Sequence, residues 1–270
     1  MLSRQATIFT AWVLAAFALP ATAFALGLRA AKSRRATVAS MPIARTSTGV
    51  PKVGALYANA RATWHGCTAS VVHSTHGNTL ITAAHCVSGR GVGMVFAPGQ
   101  HGARAPYGRW TVTAVHVEPA WVTSQNSRAD VAFLTVAPRK IKGAPTQIEQ
   151  VTGGYKLGAT AARGQRVTVP AYPAGAANDP ITCTVAVYVT GVFPAFNCRG
   201  YVGGTSGSPW LLATRNGTEI VGIIGGLHHG GCQDYTSYSS PLATAAHRAY
   251  LRASQNAPAD VAPRPGGDDC

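Results

Sequence analysis

Short runs of β-branched and aromatic residues, broken by turn residues, occupy the chain from residue 56 to residue 251. Runs such as TLITAAH, QRVTVPAY and EIVGIIGGL are bounded by Gly, Pro, Asn or Asp, which is typical of strands joined by turns. Parallel α/β folds need helical segments between the strands, and the sequence lacks them. The pattern predicts an all-β sandwich or barrel. One helix is expected to begin near Pro241, because apolar residues recur at helical spacing from Leu242 to Tyr250.

Residues 1–25 have the features of a secretory signal peptide. Arg4 precedes an apolar run from Ala6 to Leu19, and alanines at alternate positions follow Pro20. An uncleaved membrane anchor is the alternative, which the proline and the small residues disfavour. We therefore expect a secreted, extracellular protein without a stable membrane anchor. The Ala-, Ser-, Thr- and Arg-rich segment at residues 26–49 predicts a short propeptide or flexible arm.

The charge is strongly positive, with 23 basic and nine acidic residues. Six of the basic residues and none of the acidic ones precede Gly49, so the remainder has an excess of eight positive charges. Such an excess favours adsorption to anionic polymers such as cell walls or nucleic acid. No basic run with interleaved aromatics follows Gly49. The charge is therefore interpreted as a solubilising surface, and no specific nucleic-acid partner is predicted.

The six cysteines fit an oxidising compartment. Cys183 and Cys198 bracket two β-rich runs around a Gly/Pro turn, so a disulfide across that hairpin is predicted. The pairing of Cys232 and Cys270 stays open, because sequence alone does not determine connectivity. The Pro- and Gly-rich segment at residues 256–270 predicts a disordered tail.

Three strings contain candidate catalytic residues: TAAHC with His85, ADVAFL with Asp130 and GTSGSP with Ser206. A serine hydroxyl is a poor nucleophile until an imidazole takes its proton, and a carboxylate must orient that imidazole. The order His, Asp, Ser along the chain is the order of β-barrel proteases, whereas subtilisins and α/β-hydrolases use other orders. Together the strings predict a serine protease.

These motifs, with GCTASVV upstream of TAAHC, resemble the trypsin-like (chymotrypsin-fold) serine peptidases. GTSGSP is most similar to the secreted bacterial branch that includes the glutamyl endopeptidases and their trypsin-like relatives. The resemblance covers about Val53 to Ala253 and implies a peptidase domain at residues 50–255. It implies two six-stranded antiparallel β-barrels with the active site between them and a seam near residues 145–160, followed by the C-terminal helix. It also implies a Cys67–Cys86 disulfide.

The glycines before Ser206 are expected to shape an oxyanion hole. Gly203 and Gly204 let the backbone turn so that two amides point at one spot, where a tetrahedral intermediate places its negative oxygen. By resemblance, the amides of Gly204 and Ser206 are these donors.

Several other residues are alternative candidates for the catalytic roles. Glu118, Glu149 and Asp179 also lie between the histidine and the serine, but only Asp130 opens an apolar strand after a small residue. Ser206, Asp234 and His247 follow the α/β-hydrolase order, yet that fold requires a glycine two residues after the serine, and the position holds Ser208. No HExxH or CxxC spacing is present, so neither a metal nor another cofactor is expected.

The substrate pocket is predicted from the resemblance at Gly200, Ile224, Gly225 and Gly226. Trypsins have an aspartate six residues before the nucleophile, where this chain has Gly200. Glutamyl endopeptidases have a histidine at the position of Ile224. Neither a basic nor an acidic preference is supported, unless the adjacent histidines that follow reach the pocket. A mid-sized apolar residue before the scissile bond is expected.

The sequence as a whole predicts a secreted, monomeric serine endopeptidase that hydrolyses protein or peptide substrates through an acyl-enzyme. The alternative is a cationic binding protein on the same fold with weak or absent catalysis. The presence of all three triad residue types argues against that alternative, because a binding scaffold has no physical need for them.

Overall fold

The computed structural model describes residues 40–268 and 270. The predicted signal peptide at residues 1–25 lies outside this range, as does the predicted propeptide or arm as far as residue 39. No helix in the described range combines the length and the apolar character that a membrane span needs.

The described residues form seventeen strands, three α-helices and three short 3₁₀ helices. The strands are β1 Arg45–Thr46, β2 Val53–Tyr57, β3 His65–Val72, β4 Thr79–Thr82, β5 Val95–Pro98, β6 Trp110–Val117, β7 Ala132–Val136, β8 Arg139–Ile141, β9 Ala144–Thr146, β10 Lys156–Leu157, β11 Arg166–Ala171, β12 Ile181–Ala186, β13 Tyr188–Thr190, β14 Phe193–Asn197, β15 Pro209–Thr214, β16 Gly217–Ile223 and β17 Thr236–Tyr238. The α-helices are α1 Pro119–Ser124, α2 Ile148–Thr152 and α3 Thr244–Ser254, and the 3₁₀ helices are Ala84–Cys86, Ser127–Ala129 and Leu227–Gly230.

The first half is a closed antiparallel barrel with the strand order β2-β3-β4-β7-β6-β5. Successive side chains of a strand point to opposite faces, and both faces are buried here. Leu80 and Leu134 belong to one apolar cluster, whereas their neighbours Ile81 and Phe133 belong to another that includes residues of the second half and of α3. Burial on both faces explains why β4 and β7 contain no charged residue.

The second half contains a six-stranded sheet, ordered β1-β12-β11-β15-β16-β10, and a three-stranded sheet, ordered β13-β14-β17. The all-β fold, the closed six-stranded barrel and the C-terminal helix are confirmed. The second half differs from the expected antiparallel barrel, because its strands are divided between two sheets and β10 pairs with β16 in parallel. A long connection rather than a hairpin separates β10 from β16, so no local turn signal fixed the direction of that pair.

Helix α3 begins three residues after Pro241 and packs against β6 and β7. Ala246, Ala249 and Ala253 form its buried face, and the ring of Tyr250 contacts Phe133 with centroids 5.6 Å apart. Small residues on this face let the helix approach the barrel closely, so α3 covers strands that would otherwise expose an apolar face.

The segment at residues 256–270, predicted to be a disordered tail, instead makes specific contacts. Asp260 accepts hydrogen bonds of 2.7 and 2.8 Å from the guanidinium of Arg252. Ala262 forms a two-way backbone bridge with the loop that follows TAAHC, and Cys270 is disulfide-bonded. An ion pair and backbone pairing hold this chain segment, and Pro/Gly composition alone does not reveal either.

Three disulfides are present, and no cysteine within the described range is free. Cys67–Cys86 and Cys183–Cys198 are the two pairs predicted from the sequence. The third disulfide, Cys232–Cys270, joins the two cysteines whose pairing was left open. The third bond attaches the end of the tail to the loop between β16 and β17.

A buried histidine makes the fold sensitive to acid. His65 is fully buried in β3, between the ring edges of Tyr57 and Tyr172. Within the described residues, neither of its ring nitrogens has a hydrogen-bond partner. Burial lowers the pKa of His65 from 6.5 to about 4, because the charged ring would lose its hydration.

We therefore expect acid destabilisation that depends on His65. The unfolded chain takes up the proton near pH 6.5 and the folded chain only near pH 4, so stability is complete above the first value and declines as pH falls to the second. The loss is about 3 kcal/mol of unfolding free energy, measured by urea denaturation across this range. His65→Phe should remove that part of the pH dependence, and exposed His76→Asn should not. Equal dependence in both variants would contradict the assignment.

Candidate active site

His85 lies in the 3₁₀ helix that follows β4. The next residue, Cys86, is bonded to Cys67 in β3, so a covalent link holds this turn against the barrel. The His85 side chain is 11% exposed, and it lines a cavity at the surface. The turn thus presents one edge of the imidazole to solvent and the other to the protein.

Asp130 follows the second 3₁₀ helix and is fully buried. Its carboxylate accepts hydrogen bonds from the backbone amide of His85 at 2.8 Å, from His85 Nδ1 at 2.7 Å and from the amide of Gly226 at 2.7 Å. Burial by itself raises the pKa of Asp130, but the charge of His85 and these hydrogen bonds outweigh burial and lower it. An ionised carboxylate at Nδ1 places the proton on that nitrogen and leaves Nε2 as the proton acceptor.

Two of the competing carboxylates lie elsewhere. Glu149 pairs with His73 at 2.5 Å, and Asp179 pairs with His101 at 2.5 Å. Both pairs are partly exposed, and neither of these acids contacts His85 in the described structure.

Glu118 immediately precedes α1 and makes no side-chain capping hydrogen bond. Burial raises its pKa to about 7, although Arg248 opposes the shift. The α/β-hydrolase order would combine Ser206 with Asp234 and His247. Asp234 lines the same cavity as Ser206, but His247 lies in α3 and does not line it. The acid that the structure places against the imidazole of His85 is Asp130, and His85 lines the same cavity as Ser206.

Ser206 lies in a loop fixed to the barrel. Its carbonyl accepts a 2.8 Å hydrogen bond from the amide of Thr68, and the Thr68 hydroxyl donates to the carbonyl of Gly204 at 3.0 Å. Gly204 has a φ of +90°, which L-residues rarely adopt. A Cβ there would overlap with the backbone of Ala174. Glycine is therefore required both by conformation and by close packing.

The amides of this loop fall into two groups. Those of Thr205, Gly207 and Ser208 donate to backbone carbonyls. Those of Gly203, Gly204 and Ser206 have no acceptor among the described residues, and of these three residues only Gly203 is exposed, so the other two are the ones that matter here. Buried or half-buried amides are normally paired, so these two are available to an oxygen that enters the cavity.

The cavity has a volume of about 570 Å³ and is lined by His85, Gly204, Ser206 and Ile224, among others. Of the other predicted pocket residues, Gly226 lies in a neighbouring cavity and donates to Asp130. Gly225 packs against the same carboxylate, where a Cβ would approach Oδ2 to 3.0 Å. Gly200 donates its amide to the backbone of the loop before β17. The structure thus brings Ile224 alone of the four to this cavity.

Two further residues of the cavity were not assigned to the site from the sequence, although the sequence left open whether the adjacent histidines reach the pocket. His229 lines it with its ring stacked on His85, and Asp268 reaches it from the C-terminal tail. The adjacent histidines at 228 and 229 were visible as a motif, but their distance from His85 in sequence gave no sign of contact. Asp268 depends on the Cys232–Cys270 disulfide, whose pairing the sequence left open.

The sequence from residue 67 to residue 223 matches the family of trypsin-like peptidase domains. The match spans more than half of the chain and includes His85, Asp130 and Ser206. The chain therefore belongs to the trypsin-like peptidase family, and its chymotrypsin-type fold agrees with that membership.

Three solved structures to which the fold is similar are proteases. The protease Anisep from Arthrobacter nicotinovorans is 22% identical, with a TM-score of 0.66 over 79% of this chain and 100% of that one. The thermostable serine protease AL20 from an extremophilic microorganism is 23% identical, with a TM-score of 0.62 over 76% and 97%. A Glu endopeptidase solved with MPD is 16% identical, with a TM-score of 0.59 over 80% and 98%.

One curated relative has a different name. It is an extracellular metalloprotease of Bacillus subtilis (strain 168), 31% identical over 93 residues, which are 33% of this chain and 27% of the relative. The chain thus spans about a quarter of that relative's length.

Proposed function

We propose that the chain is a secreted serine endopeptidase that cleaves protein or peptide substrates with a Ser206–His85–Asp130 triad. The observation that supports it best is the buried Asp130 carboxylate, 2.7 Å from His85 Nδ1, in a site whose histidine lines the same cavity as Ser206. An ionised acid, an oriented imidazole and a hydroxyl at one cavity are the components of acyl transfer.

In this mechanism His85 Nε2 takes the proton of the Ser206 hydroxyl as the oxygen attacks the scissile carbonyl. The resulting imidazolium is stabilised by Asp130, which remains ionised. His85 then donates the proton to the leaving amine, and an acyl-enzyme forms on Ser206. Water, deprotonated by the same imidazole, attacks the ester. His85 then returns this proton to the Ser206 oxygen as the ester bond breaks, which releases the acid product and restores the free enzyme.

The negative oxygen of each tetrahedral intermediate is assigned to the amides of Gly204 and Ser206. These two amides lack a protein acceptor in the described chain, so they need not break a hydrogen bond to reach the oxyanion. Preformed donors of this kind stabilise the transition state more than the ground state.

Secretion is supported by the three disulfides, which persist in oxidising compartments, and by the signal-like residues 1–25. The name of the Bacillus subtilis relative, an extracellular enzyme, is consistent with it. We propose a monomer without a stable membrane anchor.

A metal-dependent mechanism is the second candidate, because the same relative is named a metalloprotease. Among the described residues, two groups have ligand atoms close enough to hold a metal: Cys67, His85 and Cys86, and His228, Cys232 and Cys270. Every cysteine in them belongs to a disulfide, and metal binding requires free thiolates. Each group therefore retains a single histidine, which does not fit a catalytic metal site.

A fluorophosphonate probe tests the proposal. We expect purified protein that lacks residues 1–39 to gain one adduct on Ser206, located by mass spectrometry, and to cleave a fluorescent protein substrate. Ser206→Ala should lose both, and a chelator should affect neither. A folded protein that forms no adduct would favour the binding-protein alternative. Cleavage that a chelator abolishes would favour the metal-dependent one.

A further inference from the structure

A second histidine covers one face of His85. The rings of His229 and His85 are stacked with centroids 4.6 Å apart and an angle of 14° between their planes. The ring of Trp121 in α1 then approaches His229 edge-on, at 6.2 Å and 60°. Asp130 fixes one edge of the His85 ring, and His229 fixes its plane.

The loop that carries His229 has an unfavourable backbone conformation. His228 and His229 have φ values of 51° and 48°, in the left-handed region that non-glycine residues seldom occupy. Such strain persists only where the surrounding structure imposes it, and it concentrates at functional sites.

The surroundings of the loop supply that constraint. The disulfide from Cys232 to Cys270 begins three residues after His229, and His228 Nδ1 lies 3.1 Å from the carbonyl of Asp268. The amide of His229 donates to Gly226, whose own amide binds Asp130. The ordered C-terminal tail and the Asp130 network thus hold the loop against His85 from two sides.

We propose that His229 is a positioning residue for His85, an inference that rests on the proposed function. The stacked ring restricts rotation of the His85 imidazole, whose Nε2 must face Ser206 in the proposed proton transfer. In its neutral form it also offers a π face to the imidazolium that forms when the serine proton is transferred, and an aromatic face attracts such a cation.

The protonation state of His229 then affects the rate. A proton on His229 would place two parallel cations in contact and disfavour the imidazolium of His85. The remaining titratable groups around the stack are Asp130 behind His85, and His228, Asp234 and Asp268 along the cavities. Of these, the three aspartates are negative and oppose the repulsion, whereas His228 adds to it when protonated.

Two variants distinguish the effect of the aromatic ring of His229 from the effect of its protonation. His229→Asn removes the ring and keeps a residue type that tolerates the left-handed conformation, whereas His229→Phe keeps an aromatic face that does not titrate. His76→Asn is the control, because it changes an exposed histidine that does not line the cavity. Each variant is made in the protein with its disulfides intact, and its thermal unfolding is compared with that of the wild type.

We expect His229→Asn to lower kcat roughly tenfold with KM nearly unchanged, because the lost interaction forms with the imidazolium of the transition state. His229→Phe should restore kcat to within about twofold. His76→Asn should keep the wild-type kcat.

Three results would overturn the inference. A kcat of His229→Asn equal to that of the wild type would show that the stack has no role in catalysis. A higher kcat would identify His229 as an obstruction. An equal loss in His229→Phe and His229→Asn would indicate a structural effect. In each case probe labelling of Ser206 in the wild type would leave the proposed function standing, whereas absence of labelling would remove both.

Discussion

Asp130→Asn should lower kcat/KM by about 10⁴-fold while leaving the protein folded. The carboxylate accepts three hydrogen bonds, two of them from His85. An asparagine side chain has one acceptor oxygen and one donor nitrogen. If the amide nitrogen of that asparagine faces His85 Nδ1, the imidazole carries its proton on Nε2 instead. Nε2 can then no longer accept the proton of the Ser206 hydroxyl. The imidazolium also loses its counter-charge.

The measurement is steady-state hydrolysis of a fluorescent protein substrate by Asp130→Asn and by Asp179→Asn. The control acid is ion-paired at the surface and should keep wild-type kinetics, because exposed pairs contribute little. Thermal unfolding of both variants checks the fold. A reduction of less than about tenfold in Asp130→Asn would mean that another group orients His85, and the triad assignment would then be wrong.

The fold class and the catalytic strings could be predicted because their signals are local. Apolar runs bounded by turn residues predict strands. TAAHC, ADVAFL and GTSGSP each contain one candidate catalytic residue within a short, recognisable motif. The sheet pairing of the second half could not be predicted in the same way. The parallel β10–β16 pair joins segments separated by about sixty residues, and nothing in two residues of β10 specifies the partner or the direction.

The prediction of a disordered tail at residues 256–270 was wrong for a related reason. Pro- and Gly-rich sequence lacks an apolar period, but the tail is held by an Asp260–Arg252 ion pair and by Cys270, which are long-range contacts. The positions of His229 and Asp268 at the cavity could not be predicted either, because the disulfide joins the loop that contains His229 to the tail that contains Asp268. The residues that act through local chemistry were accessible to sequence reasoning, and those positioned by tertiary contacts were not.

Gly204→Ala should damage both the fold and the catalysis, whereas Gly203→Ala should leave the fold intact. The two glycines are neighbours in the same loop. A Cβ at Gly203 meets nothing within 4 Å, so the substitution should change the free energy of unfolding by about 0.5 kcal/mol or less. Gly204 has a φ of +90°, and a Cβ there would overlap with the backbone of Ala174. Relief of that overlap requires the loop to move.

We expect Gly204→Ala to lose about 3 kcal/mol of unfolding free energy and, in the molecules that remain folded, about 10³-fold in kcat. The second loss follows because displacement of the amide at position 204 removes one donor from the oxyanion site. Urea denaturation gives the first quantity, and titration of active sites with the fluorophosphonate probe corrects the second for unfolded protein. If the corrected kcat of Gly204→Ala equals that of Gly203→Ala, the amide of residue 204 does not bind the oxyanion, and the donor must be sought elsewhere along the cavity.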